Sequence, residues 1–203
     1  MKTDVEFCFD FGSPTAYLAY CRLQQLQAHY SFDLTYTPIL LGGVFKATDN
    51  VSPVAIPAKG KYMLEQDLPR FAKRYGVELT FNPFFPINTL PLMRGAIAAQ
   101  RLGCFDAYAA CVYRAVWIDA GNMGDPEIIK ATLEKAGLDA GRIINMTQDP
   151  DVKAALINNT DQAVKRGAFG APTLFTGDQM FFGQDRLDFV EEALAAASHA
   201  SAS

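Results

Sequence analysis

The sequence predicts an α/β fold in which a small β-sheet is built from an opening β-α-β unit and a closing β-β-α unit, with a long all-helical segment between them. Three observations carry this reading. Val5 to Phe11 alternate apolar and polar positions; from about Leu41 to Gly167 apolar positions recur at helical spacing between Gly, Pro, Asn and Asp; and strand patterning returns after Gly170.

The first strand, V-E-F-C-F-D-F, sets Val5, Phe7, Phe9 and Phe11 against Glu6, Cys8 and Asp10, and stops at Gly12-Ser13-Pro14. Ser13 is placed as the N-cap and Pro14 as the first residue of a helix to about His29, with Leu18, Cys21 and Leu26 at helical spacing. A second strand is predicted over Asp33 to Ile39, where Leu34 and Tyr36 alternate with threonines before Pro38 ends the pattern. Five helices follow, at roughly Ala58 to Tyr75, Asn88 to Leu102, Phe105 to Ile118, Pro126 to Ala136 and Asp151 to Arg166. Pro69 either kinks the first of these or marks the meeting of two short helices. A hairpin is then expected from Pro172 to Thr176 and Gln179 to Gly183 around the Gly177-Asp178 turn. A last helix starts near Asp185 with Leu187, Val190 and Leu194 on one face, and the tail Ala195 to Ser203 is small and polar enough to fray. This order is that of a thioredoxin-like core, residues 1–40 and 168–203, interrupted by an all-α insertion over 41–167.

The 203 residues, 50% hydrophobic and 20% charged, suit one domain with a large insertion and exclude a wholly disordered chain. Eighteen Lys and Arg against 22 Asp and Glu give a net charge of -4 without a dense basic block, so nucleic acid is not an expected partner. There is no apolar run of signal-peptide or membrane-spanning length, and the expectation is a soluble cytoplasmic protein. The four cysteines form no Cys-x-x-Cys pair and only two histidines are present, so no metal site is expected and the cysteines read as small apolar residues.

Three places could carry chemistry. In a thioredoxin-like core the turn after the first strand feeds a helix N-terminus, which favours an anion; oxidoreductases place a cysteine thiolate there. The corresponding residues are Ser13-Pro14-Thr15-Ala16, without sulfur, so dithiol exchange at this position is excluded. A serine without a neighbouring base is a poor nucleophile, but its hydroxyl can donate to a thiolate brought by a ligand; the plainer reading is that Ser13 only caps the helix. At Gly170-Ala171-Pro172-Thr173 a cis-proline would turn the Ala171 N–H and C=O outward to pair with a peptide-like ligand; the plainer reading is a trans proline at an edge strand, but with Ser13 on the adjoining strand the cis form is expected. At Gly183-Gln184-Asp185-Arg186 the helix start can receive a carboxylate and Asp185 an ammonium, or Asp185 simply caps. A ligand with an amino-acid head, an amide backbone and a thiol engages all three places, and glutathione is such a ligand.

The stretches F-D-F-G-S-P-T-A-Y-L-A, P-A-K-G-K-Y-M-L-E-Q-D-L, F-P-I-N-T-L, and F-G-A-P-T-L-F with M-F-F-G-Q-D-R-L-D-F resemble the 2-hydroxychromene-2-carboxylate isomerases, relatives of kappa-class glutathione transferases and of the DsbA-like thioredoxin fold. The resemblance spans nearly the whole chain. It implies that Ser13 contacts the glutathione sulfur, that Asn50 lies near the same ligand, that Ala171 and Pro172 form the backbone pairing site, and that Asp185 and Arg186 surround the γ-glutamyl group. Lys59 and Lys61 fall in the family's lysine-bearing motif, although a solvated helix face explains them equally well. It further implies a homodimer acting on a small aromatic carboxylate.

On that resemblance a bound thiolate adds to a 2-hydroxychromene carboxylate, permits ring opening and rotation, and leaves, so that glutathione is a cofactor. Phe84, Phe85 and Pro86 are possible walls for the aromatic acid or packing between two lobes. The alternatives are a kappa-like transferase or peroxidase that consumes glutathione, a protein disulfide oxidoreductase, which the missing cysteines oppose, and a binding-only thioredoxin module.

Overall fold

A computed structural model describes residues 3–200, with side-chain surroundings for residues 4–196. β1 (Thr3–Phe9) runs parallel to β2 (Phe32–Pro38), joined to it by α1 (Pro14–Gln27). Eight helices follow: α2 (Leu41–Thr48), α3 (Pro57–Tyr62), α4 (Leu68–Tyr75), α5 (Leu90–Leu102), α6 (Phe105–Trp117), α7 (Pro126–Lys135), α8 (Ala140–Met146) and α9 (Pro150–Lys165). The chain returns through β3 (Thr173–Thr176) and β4 (Gln179–Phe182), and ends in α10 (Leu187–Ala200). Strand order is β2-β1-β3-β4, with β3 antiparallel to both neighbours, so the α/β architecture matches the sequence expectation. The last three residues of the tail expected to fray, 201–203, lie outside the described residues.

The differences from expectation have local causes. The strand expected to reach Phe11 ends at Phe9, because the Asp10 carbonyl turns to accept the Ser13 N–H at 3.0 Å. α2 was not expected, since two glycines, Gly42 and Gly43, lower its intrinsic helix propensity. It forms because Val44 is buried and a side chain from the end of β1 takes the Leu41 N–H. α8 also escaped notice; it is short, and its Asp139 cap accepts the Arg142 N–H at 2.9 Å. The single run expected from Ala58 to Tyr75 is α3 and α4 joined by a π-helical turn, Met63–Asp67, directly before Pro69. That wider turn relieves the clash and missing donor that proline brings to a helix.

The core is continuous from sheet to helices. Phe7, Phe9 and Phe11 are fully buried with Tyr113, Tyr108 and Trp117 of α6, and the Trp117 indole N–H donates to the Phe11 carbonyl at 2.8 Å. Fixing Phe11 in this way holds the start of the turn that carries Ser13. Cys8 is buried and Cys21, Cys104 and Cys111 are half-buried. Burial and the nearby Glu6 charge push the Cys8 thiol up to about 12, and burial raises Cys111 to about 11, so neither supplies a thiolate at neutral pH. Among the described residues no helix is long and apolar enough to cross a membrane.

Candidate active site

Asp10 organises the floor of the site. It is 1% exposed, and its two oxygens accept the N–H of Gly12 and the N–H of Leu41, each at 2.9 Å, tying the β1–α1 turn to the start of α2. Burial raises its pKa, opposed by these bonds and by Thr89. A raised carboxyl stabilises the fold while protonated; that contribution is complete below the unfolded value of about 3.9 and is lost as pH rises through the folded one. Asp10→Asn sets an NH₂ against one backbone N–H and should cost about 1–3 kcal/mol. Denaturant melts across pH should show the deficit largest in acid and narrowing as pH rises.

Ser13 is 5% exposed and its Oγ accepts the Ala16 N–H at 3.1 Å, the capping role expected of it. The same hydroxyl has a second role, donating to the Ala171 carbonyl at 3.0 Å, and it lies 2.9 Å from the Thr15 hydroxyl. Pro14 has no N–H, and those of Ala16 and Tyr17 are taken by Ser13. Among the described residues this leaves the Thr15 N–H as the donor the first turn of α1 offers a ligand, at the positive end of the helix dipole.

The Ala171–Pro172 peptide is cis, as expected, and Ala171 faces Ser13 across the turn. Pro172 is buried behind it, its carbonyl accepting the Gly183 N–H at 3.0 Å, so the strand begins one residue later than expected. A second cis bond, Phe85–Pro86, was not foreseen.

A cavity of about 310 Å³ opens between these elements and gathers Ser13, Asn50, Ala171 and Asp185 on one surface. Asn50 follows α2, which ends at Asp49 with a left-handed φ of 51°, and its amide donates to the Phe169 carbonyl at 2.9 Å, bridging α2 to the segment before Ala171. Phe45, Phe85, Phe169 and Phe182 give the cavity apolar walls. Of the expected aromatic loop, Phe85 alone lines it, while packing on Trp117 and Phe81; Phe84 is exposed.

Asp185 lies on the cavity but Arg186 does not; its guanidinium holds the Asp185 carboxylate at 2.6 Å from outside. Gly183, with φ of 100°, makes room for this: a Cβ there would meet Asp185 Oδ1 at 2.4 Å. Asp67, at the end of the π-helical turn, reaches the same cavity, and burial followed by the Asp185 charge raises its pKa. Two carboxylates at one cavity wall are chemically suited to a cation.

The fold belongs to a known group of proteins. The DSBA-like thioredoxin domain model matches residues 4–195. The 2-hydroxychromene-2-carboxylate isomerase of Sphingobium xenophagum is 32% identical over 196 residues, covering 96% of this chain and 99% of that protein. The chain belongs to the DsbA-like 2-hydroxychromene-2-carboxylate isomerase family. A solved 2-hydroxychromene-2-carboxylate isomerase (HCCA isomerase) superposes with a TM-score of 0.88 at 31% identity, covering 98% of both chains. Glutathione S-transferase kappa 1 of Rattus norvegicus is 27% identical over 92% of this chain and 88% of its own. As a member of the isomerase family the chain is an enzyme of the isomerase type.

The stretch P-A-K-G-K-Y-M has a structural reason for its glycine. Gly60 packs against the backbone of the cavity-lining Val54, and a Cβ there would lie 2.7 Å from the Val54 oxygen. Gly60→Ala should therefore displace the 52–54 wall and cost about 1–3 kcal/mol, read in a thermal melt. Lys59 and Lys61 are exposed on α3 and do not line the cavity. Thr15, Asp67 and the aromatic walls Phe45, Phe169 and Phe182 were missed by sequence reasoning. A Ser-x-Thr pair at a helix start was a visible signal for the first; the others reach the cavity through tertiary packing that no spacing announces.

Proposed function

We propose that the chain is a glutathione-dependent isomerase interconverting 2-hydroxychromene-2-carboxylate, or a related aromatic hemiketal acid, with trans-o-hydroxybenzylidenepyruvate. The observation that carries this reading is the convergence on one cavity of the Ser13 hydroxyl, the Ala171 backbone and the Asp67–Asp185 pair. These residues fit glutathione group by group: the helix N-terminus and Ser13 suit the thiol, Ala171 an added peptide strand, and the two carboxylates an ammonium. Asn50 and Arg186 complete the set, the first as a wall near the sulfur and the second by steadying Asp185. When bound, glutathione would supply the thiolate nucleophile and would not be consumed. Ser13 and the Thr15 N–H would lower the thiol pKa from about 8.5, each unit being worth about 1.36 kcal/mol. Phe85, Phe169 and Phe182 would pack the aromatic ring while excluding water.

A cytoplasmic homodimer is part of the same reading; four free cysteines suit a reducing compartment. The test is turnover at substoichiometric glutathione, following the substrate by absorbance and the free thiol by titration. Many turnovers per glutathione, with the thiol conserved, is the expected result. Loss of one thiol per turnover would replace the isomerase reading with the kappa-like transferase one.

A further inference from the structure

We propose that Ser13, Thr15 and the Ala171 carbonyl form a latch, in which Thr15 is a positioning residue and the amide of a docking peptide thiol releases the Ser13 proton for the sulfur. The inference rests on the glutathione site proposed above.

Three oxygens form a closed triangle: Ser13 Oγ to Thr15 Oγ1 is 2.9 Å, Ser13 Oγ to the Ala171 oxygen 3.0 Å, and Thr15 Oγ1 to the Ala171 oxygen 3.3 Å. Each hydroxyl has one proton, and a carbonyl has none. Two protons therefore fill two of the three edges, and the two shorter edges are satisfied together when Thr15 donates to Ser13 and Ser13 donates to Ala171. In that state Ser13 Oγ accepts from both Thr15 and the Ala16 N–H, and its only proton is committed to the carbonyl. While Ser13 donates to the carbonyl it has no proton for a thiolate, and a stronger donor that competes for the Ala171 oxygen weakens that hold.

A peptide-like ligand paired with Ala171 as an added strand supplies that donor, the N–H of its cysteinyl residue. The Ser13 proton then turns to the sulfur, while Thr15 and the Ala16 N–H remain on the Ser13 oxygen and polarise its O–H. Recognition of the ligand backbone and ionisation of its thiol are thereby coupled. A thiol without the amide N–H leaves the hydroxyl latched.

The test measures the pKa of protein-bound glutathione from its ultraviolet thiolate absorbance, beside binding of S-methylglutathione, which has no thiol to ionise. Thr15→Val should raise the bound pKa by about half a unit to one unit, which below the pKa is a thiolate fraction lower by about three- to tenfold. Thr15→Ser should restore it, and S-methylglutathione should bind all three forms alike. A depsipeptide analogue of glutathione, with an ester oxygen in place of the cysteinyl N–H, should show the raised value on the wild-type protein. An unchanged pKa in Thr15→Val, or loss of S-methylglutathione binding in both Thr15 variants, would overturn the latch. Failure of the underlying site reads differently: wild-type protein would bind neither ligand, or Ser13→Ala would leave the bound pKa unmoved.

Discussion

Ser13→Ala is expected to lower isomerase turnover by about 10- to 150-fold, the equivalent of losing one hydrogen bond of about 1.5–3 kcal/mol to a charged partner. Affinity for glutathione should fall much less, because Ala171 and the acidic corner remain. The same change removes the acceptor of the Ala16 N–H and should cost about 0.5–2 kcal/mol of stability. The two effects separate experimentally: Ser13→Gly loses the sulfur contact while sparing most of the cap energy, so its turnover should be equally poor and its melt closer to wild type. Steady-state kinetics beside thermal melts of both variants makes the comparison. Turnover that tracked stability, and recovered in the glycine variant, would reduce Ser13 to a helix cap.

Asp67→Asn carries the second large effect, on binding. Its carboxylate is half-buried at the cavity, whereas Asp185 is tied to Arg186 and more screened by solvent, so Asp67 should contribute more to holding an ammonium. The KM for glutathione should rise about tenfold, corresponding to about 1.4 kcal/mol, with kcat little changed. The raised pKa of Asp67 gives this a pH signature. As pH falls through that pKa the carboxylate is neutralised and glutathione binding weakens; Asp67→Asn should lack this acidic limb. Asp185→Asn removes the like charge that helps raise Asp67, and should move the limb to lower pH. A KM–pH profile unaltered by either change would remove the acidic corner from the account.

Much of this was legible in the sequence where local chemistry and tertiary need agree. The alternation of Val5, Phe7 and Phe9, the Ser13-Pro14 cap and the Gly177-Asp178 turn each specify their element without help from distant residues. α2 was not legible, because its start is fixed by Asp10 from another element and its glycines argue against a helix. The site divides in the same way. Ser13, Ala171 and Asp185 sit at element boundaries, where unpaired backbone groups announce a use. Asn50 came only from resemblance, since Asp49-Asn50 reads as a turn, and its bridge to Phe169 spans 119 positions. Thr15 gains its meaning from a carbonyl 156 positions away. Asp67 carries no local signal in the sequence; the π-helical turn brings it to the cavity.

The central claim is a ligand sulfur held as a thiolate at the start of α1. A pH titration of thiolate absorbance for glutathione bound to the wild-type protein tests it most directly. The account predicts a pKa about one to two units below the free thiol's value of about 8.5, returning most of the way in Ser13→Ala. A bound thiol that titrates like the free one, in a protein that nonetheless catalyses the isomerisation, would contradict it.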